Sequence, residues 1–340
     1  MNNPTVLTVI LNYKTPEMTV QSLGSALIAM QGIAGEIIVV DNDSQDGSFE
    51  VISKVIKEKD WGQNNRARVI QSGHNGGFGA GNNVGIRAGL SNGDTPDYIY
   101  ILNSDAFPAR DAIGQLLTYL QENPQTGFVG SYIHGQDGTP HITAFRFPSI
   151  QSELEGSARF GPISRILRNA VVPLPMPQET CQVDWLAGAS MMMRRTVLDE
   201  IGLFDEKFFL YFEETDLCKR ARNAGWPTAY IRKSEVAHIG SVSTGMKTWA
   251  RMPQYWFDSR WHYFVKNHGC AYAILATLSH ILGGILFRLR SFIQRKPRVD
   301  PPKFLRDLTT HALKSLGQNL LVSKKAQALE KTRLAGQESK

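Results

Sequence analysis

Three acids crowd into four positions, Glu213, Glu214 and Asp216, directly behind the aromatic and apolar run 208–212. On a helix Glu213 and Asp216 share a face at i, i+3 spacing, while Glu214 points elsewhere. Solvated acids at a helix start would complement its dipole, but they need no aromatic neighbours. A carboxylate in partly apolar surroundings has its pKa raised and can serve as a general base. A further acid closes the triplet Asn103-Ser104-Asp105. Asp105 there either caps a strand-to-helix turn or offers a hard oxygen ligand to Mg²⁺ or Mn²⁺ against a diphosphate. Asp41 has the same two readings, its functional one being an acceptor for a nucleobase edge. His238 alone reads as a structural histidine or as a ligand. The stretch from Gly73 to Asn83 carries Gly73, Gly76, Gly77, Gly79 and Gly81. It reads as a tight turn feeding a helix or as a loop that lets backbone approach a nucleotide. Gly79-Ala80-Gly81 supplies GxG, but the third glycine position of a dinucleotide fingerprint holds Val84, so that motif fails.

These groups sit where a particular kind of sheet would put them. Residues 6–11 form an apolar, β-branched run, and Thr15-Pro16-Glu17 supplies an N-cap, an N1 proline and a first-turn acid, which predicts a helix start. Residues 36–41, 68–71 and 98–102 read as three more strands. Near-continuous apolar strands separated by helices imply a mostly parallel sheet covered on both faces. Ligand groups then gather at the carboxyl ends of the strands, where the polar residues after Leu11, Val40, Gln71 and Leu102 fall. Residues 111–122 predict a helix. The stretch 161–180, with Pro162, Pro173, Pro175 and Pro177, reads as a surface connection. Order returns at 183–193 and in a short strand at 228–231.

The chain has 340 residues, enough for about two domains, with 42% hydrophobic and 20% charged residues. That balance excludes wholesale disorder, collagen and a polytopic membrane protein. Cys181, Cys218 and Cys270 are odd in number and widely spaced, which argues against a disulfide scaffold or a zinc ribbon and fits a reducing cytosol. The N-terminal residues lack a basic region and a long apolar stretch, so no signal peptide is expected. The net charge of +6 is unevenly placed. Residues 271–340 hold 13 Lys and Arg against 4 Asp and Glu, a net of +9, and residues 1–270 hold 24 against 27, a net of −3. No nucleic-acid partner is expected of the body, and any polyanion must meet the tail. Residues 271–287 carry no formal charge, at the lower limit for a membrane span. Leu305, Leu308, Ala312, Leu316 and Leu320 then recur at helical spacing among basic residues. The tail is expected to meet the cytoplasmic face of a membrane through 271–320, or to pack on the body or a second subunit in a homodimer.

The ordered set of motifs resembles family 2 glycosyltransferases, over about residues 5–245, and within them a bacterial rhamnosyltransferase branch. It runs from residues 9–13 and 38–48 through 75–83 and 102–105 to 184–189. It continues through 202–209 and 213–220 to His238-Ile239-Gly240-Ser241-Val242-Ser243. The resemblance implies a GT-A fold in residues 1–245, with a nucleotide-sugar-binding half (1–105) and an acceptor half (106–245), followed by a basic helical extension (246–340). It implies inverting transfer from a dTDP- or UDP-linked sugar to a hydroxyl of a cell-surface glycan or lipid-linked acceptor. By position, Asn12, Asp41, Gly77, Asn82, Asn103, Ser104 and Asp105 would bind the nucleotide sugar. Asp105 and His238 would hold Mg²⁺ or Mn²⁺. Asp184, Trp185, Gly188 and Asp216 would line the sugar or acceptor pocket. Glu214 matches the second acid of the family's ED pair and would be the base, with Glu213 the other choice. Asn103 stands where the family's DxD-type motif has its first acid, and Glu214 where the second acid is usually Asp. The competing reading is a non-catalytic nucleotide-sugar- or polysaccharide-binding protein that keeps the fold.

Overall fold

A computed structural model describes residues 3–240, 250–295 and 300–318. The elements run β1 (Thr5–Asn12), α1 (Pro16–Ala29), β2 (Ala34–Asp41), α2 (Ser48–Glu58), β3 (Ala67–Gln71), α3 (Phe78–Ala88), β4 (Tyr98–Asn103) and β5 (Ala106–Pro108). Next come α4 (Ala112–Glu122), β6 (Phe128–His134), β7 (Ala144–Phe145), α5 (Ile150–Ala158), α6 (Gly161–Ile166), β8 (Cys181–Val183), β9 (Trp185–Leu186) and β10 (Ser190–Arg194). The chain continues through α7 (Arg195–Ile201), α8 (Glu213–Asn223), β11 (Thr228–His238), α9 (Gln254–His268) and α10 (Cys270–Ile293). Residues 304–318 are also helical. Two compact units result, one from 1–147 and 172–248, the other from 148–171 and 249–340.

The first unit is a mixed sheet in the order β3-β2-β1-β4-β10-β6-β11-β5, with β8 paired to β11. β3, β2, β1 and β4 run parallel, β10 runs against both its neighbours, and β6 and β11 are parallel. The all-apolar strands are explained by cover on both faces. Val6, Ile10, Ile37 and Val39 point into a core with Leu23, Ile52 and Leu116 of α1, α2 and α4. Leu7, Val9, Ile38 and Val40 point the other way, onto Ile86, Val197 and Leu217 of α3, α7 and α8. This is the period of two expected of strands. The short strand read at 228–231 is longer in the structure. It continues through an irregularity between Ile231 and Glu235 to His238, where Ala106 of β5 pairs with it.

The glycine-rich stretch is spent mostly on packing. A Cβ on Gly81 would stand 2.4 Å from Leu11 Cδ1, and one on Gly85 would stand 2.6 Å from Val9 Cγ1. α3 therefore lies closer to the sheet than a helix with side chains there could. Gly77, at φ 90°, turns the chain into α3 so tightly that a Cβ would meet the Phe209 carbonyl oxygen at 1.8 Å. The Phe78 N–H donates to that same oxygen at 3.0 Å.

The second unit takes residues 148–171 away from the acceptor half in which the sequence placed them. The reason is charge. Arg260 of α9 is buried and donates through Nη2 (2.8 Å) and Nε (3.3 Å) to Glu153 Oε2 of α5. His280 Nδ1 of α10 lies 2.6 Å from the same oxygen. Burial raises the Glu153 pKa, but the Arg260 charge together with His280 outweighs it and brings the carboxyl down to about 2. α10 crosses α5 closely, since a Cβ on Gly283 would stand 2.1 Å from Ser157 Oγ. Phe304, Leu305 and Leu308 of the 304–318 helix form a small core with Phe257 of α9.

Candidate active site

The carboxyl ends of β2, β1 and β4 lie side by side, with Asn12 opposite Asp41 and Leu11 opposite Asn103. The polar residues that end these strands meet there as a chain of hydrogen bonds. Asp41 Oδ1 accepts from Asn12 Nδ2 (2.7 Å) and Ser44 Oγ (2.5 Å). Asn12 Oδ1 in turn accepts from Thr19 Oγ1 at 2.7 Å, and Thr15 Oγ1 lies 3.3 Å from Ser104 Oγ. Asp41 is only 1% exposed, so Asn12 serves to position it, and among the described residues its Oδ2 accepts a long 3.4 Å bond from the Ser44 N–H.

Beyond β4 the chain turns into β5, and the β5–β11 pairing brings His238 back to Asp105. His238 Nε2 lies 3.0 Å from Asp105 Oδ1 and 3.4 Å from Asn103 Nδ2. The Gly240 N–H donates to Asp105 Oδ2 at 3.1 Å, and the ring of His141 meets that of His238 edge-on at 6.1 Å. Gly240 and His141 were absent from the expected site because their approach depends on long-range pairing that no spacing reveals. Ser241, Val242 and Ser243 of the last motif lie outside the described residues. A carboxylate oxygen and an imidazole nitrogen this close suit a divalent ion that takes its other ligands from phosphate and water. No group of three or more His, Cys, Asp or Glu side chains gathers among the described residues. Among the described residues, Asp105 and His238 are the carboxylate and imidazole that meet here.

The acids of α8 form the other wall. Tyr211 and Phe212 both adopt φ 70°, a left-handed turn that non-glycine residues rarely make, and Glu213 and Glu214 follow it at the helix start. Glu213 is buried under α3, near where a Cβ on Gly79 would be (3.6 Å), and its Oε2 takes no hydrogen bond among the described residues. Burial first, and then the charge of Glu214, raises its pKa well above the ordinary glutamate value. Glu214 Oε1 receives the Gly188 N–H at 3.4 Å, while Oε2 is buried without a partner among the described residues. Burial raises its pKa too. A Cβ on Gly188 would stand 3.1 Å from the Phe78 ring, so Gly188 lets α3, α8 and the β9–β10 turn converge. The Asn103 N–H donates to Ala189 O at 3.0 Å, tying this wall to the Asp105–His238 pair.

Asp216 does not belong to the pocket in which the sequence placed it. It is fully buried, and its Oδ2 accepts from Arg220 Nε at 2.9 Å. Arg220 also donates to the carbonyls of Ile201, Gly202 and Leu203, so Asp216 braces the loop after α7. Asp184 pairs with Arg222 and accepts from the Phe147 N–H, which commits both its oxygens to the fold. Trp185 is half-buried, with one face stacked on Phe145 at 4.1 Å and its N–H donating to Arg146 O at 2.9 Å. Asn82 Nδ2 bonds back to Phe78 O, while its Oδ1 and that of Asn42 are buried acceptors without partners among the described residues. Asn83, passed over as a site residue, clamps the Phe204 backbone in both directions (2.9 and 3.1 Å).

A mixed sheet whose parallel strands end in polar residues, flanked by helices, with an Asp–His pair and two buried glutamate oxygens beside those ends, defines a GT-A glycosyltransferase. The chain belongs to glycosyl transferase family 2, whose family model matches residues 8–202, more than half its length. It is 28% identical over 224 residues to N-acetylglucosaminyl-diphospho-decaprenol L-rhamnosyltransferase of Mycobacterium tuberculosis, covering 62% of this chain and 68% of that one. It is 29% identical over 221 residues to the low-salt glycan biosynthesis hexosyltransferase Agl10 of Haloferax volcanii (63% and 60%). Over 165 residues it is 25% identical to rhamnosyltransferase WbbL of Escherichia coli (48% and 60%). Among solved structures, GalNAc-T7 with UDP, GalNAc and Mn²⁺ superposes with a TM-score of 0.54 at 14% identity. That match covers 91% of this chain and 55% of that one, and at such identity it shows the fold alone.

Proposed function

We propose that the enzyme moves a sugar, L-rhamnose in the first instance, from a dTDP- or UDP-linked donor to a hydroxyl of a cell-surface glycan or lipid-linked acceptor, with inversion at the anomeric carbon. The carrying observation is Glu214, whose buried Oε2 has no partner among the described residues while Oε1 is held by the Gly188 N–H. Two of the relatives are named as rhamnosyltransferases and one of them for a diphospho-decaprenol acceptor, which supports both the sugar and the lipid link. The same reading puts the work at the cytoplasmic face of the membrane that carries such an acceptor.

In this scheme Asp41, positioned by Asn12 and Ser44, accepts from the nucleobase edge. The backbone around Gly77 and Asn82 lines the nucleotide, and Asn103 and Ser104 flank the diphosphate. Asp105 and His238 would hold Mg²⁺ or Mn²⁺, which when bound neutralises charge on the departing diphosphate. Glu214, deprotonated, takes the acceptor hydroxyl proton onto Oε2 as the hydroxyl oxygen bonds the anomeric carbon and the bond to the nucleoside diphosphate breaks on the opposite face. No enzyme nucleophile is required. Trp185, held by Phe145 and Arg146, would line the sugar or acceptor site together with Asp184 and Gly188.

A thermal-shift screen of nucleotide sugars with and without Mn²⁺, followed by transfer assays on those that bind, tests the reading. Stabilisation by dTDP-rhamnose that grows with Mn²⁺, and transfer that Glu214→Ala abolishes, is the expected pattern. Wild-type turnover by Glu214→Ala would discard the base. Stabilisation by another donor alone would discard the sugar.

A further inference from the structure

α10 is amphipathic in the wrong sense for a helix facing water. Thr277 is buried and accepts from Arg260 Nη1 at 3.1 Å. Ser279 donates to Ile150 O at 2.8 Å, and His280 meets Glu153. The polar side of the helix is thus turned inward, toward α5 and α9. Every exposed position between 271 and 293 is apolar. Leu275, Leu278, Leu282, Leu289 and Phe292 recur at spacings of three, four and seven, and with Ile293 they make a single stripe about 100° wide along about 27 Å of helix. At its far end Phe292 is 83% and Ile293 78% exposed. A patch of this extent marks an interaction surface.

The charges around the stripe name its partner. Between Asp258 and Asp300 there is no acid, while Arg260, Lys266, Arg288, Arg290, Arg295, Lys296 and Arg298 fall in that interval. Arg290 is fixed beside the stripe, donating to Arg159 O at 2.5 Å with its guanidinium 4.8 Å from the ring of Phe160, itself partly exposed. Leucines with a phenylalanine on one side and arginines at the flank are the surface composition of a helix lying in a lipid interface. α10 is long and apolar enough to cross a membrane by length and composition. Crossing would carry the Arg260–Glu153–His280 cluster, and α5 and α9 with it, into hydrocarbon, where buried charge is costly. An in-plane position immerses the leucines and leaves that cluster inside the protein.

We infer that the outward stripe of α10 inserts in-plane into an anionic bilayer surface, with the arginines at its C-terminal end on lipid phosphates. The inference deepens the membrane reading given above and shares with it only the location. It is tested by co-sedimenting the full-length chain with phosphatidylglycerol-containing vesicles and with pure phosphatidylcholine vesicles. Binding should favour the anionic vesicles, weaken at high salt, and fall at least about tenfold in a Leu278→Gln/Leu282→Gln/Leu289→Gln variant whose melting transition and donor hydrolysis are unchanged. Equal binding by wild type and variant overturns the inference. So does absence of vesicle binding, whether the chain is a monomer or a dimer that the substitutions dissociate, the latter result assigning the stripe to a second copy. Vesicle binding without sugar transfer to any acceptor would instead sink the enzymatic reading and leave this one standing.

Discussion

In the proposed mechanism Glu214 divides its carboxylate between the fold and the chemistry, with one oxygen on the Gly188 N–H and the other buried without a partner among the described residues. A base works deprotonated, so turnover falls as pH drops through its pKa. Because burial raises that pKa, the acid limb of the kcat–pH profile is expected above the ordinary value of 4.5. A limb at or below 4.5 would remove Glu214 from the role. Glu213 behaves oppositely for stability. Its pKa is raised in the folded state, so its contribution is favourable below pH 4.5 and is lost as pH rises. Glu213→Gln should therefore stabilise the protein by ~1 kcal/mol at neutral pH and little at pH 4, read by thermal melts at the two pH values. For Asp105 and His238, single changes to Asn and Ala should each raise the Mn²⁺ concentration needed for half-maximal activity by at least about tenfold. Unchanged metal titrations would dismiss them as ligands.

At the scale of elements, the first four strands and the helices after them were legible because each is a run of one type bounded by turn residues. The parallel sheet followed from strands apolar on both sides. β11 reads short because Arg232 and Lys233 interrupt its apolar pattern, yet β6 and β5 supply the pairing that carries it on to His238. The glycine-rich stretch was legible as punctuation but not as packing, since the distance from α3 to Val9 and Leu11 is a property of the folded pair. Gly77→Ala has both a forbidden φ and the Phe209 carbonyl in its way. It should cost roughly 2–4 kcal/mol in chemical denaturation and weaken donor binding along with it. Full stability in that variant would mean the turn can re-form without a left-handed residue.

At the scale of the molecule, the second unit is discontinuous, so a cut between 245 and 250 does not separate two independent pieces. Removing residues from 250 onward takes Arg260 and His280 away from Glu153. The truncated chain is expected to melt well below the full chain, and matching melting curves would show that residues 148–171 hold without their partners. Glu153 also sets an acid limit. Its carboxyl sits at about 2 against an ordinary 4.5, so roughly 3 kcal/mol of stability is present above pH 4.5 and is lost as pH falls toward 2. Glu153→Gln should flatten that part of the stability–pH curve.

What the sequence by itself determined was the order of strand and helix types, the polar residues at strand ends, the acids before Leu217 and the basic tail. All of these are set by neighbours along the chain. Only the tertiary structure decided which of those groups meet. It brought the Gly240 N–H to Asp105 and the Gly188 N–H to Glu214, withdrew Asp216 into an ion pair with Arg220, and turned the leucines of α10 outward. Apart from the i, i+4 pair of Asp216 and Arg220, such contacts depend on sheet register and on packing, which are fixed by residues tens to more than a hundred positions apart.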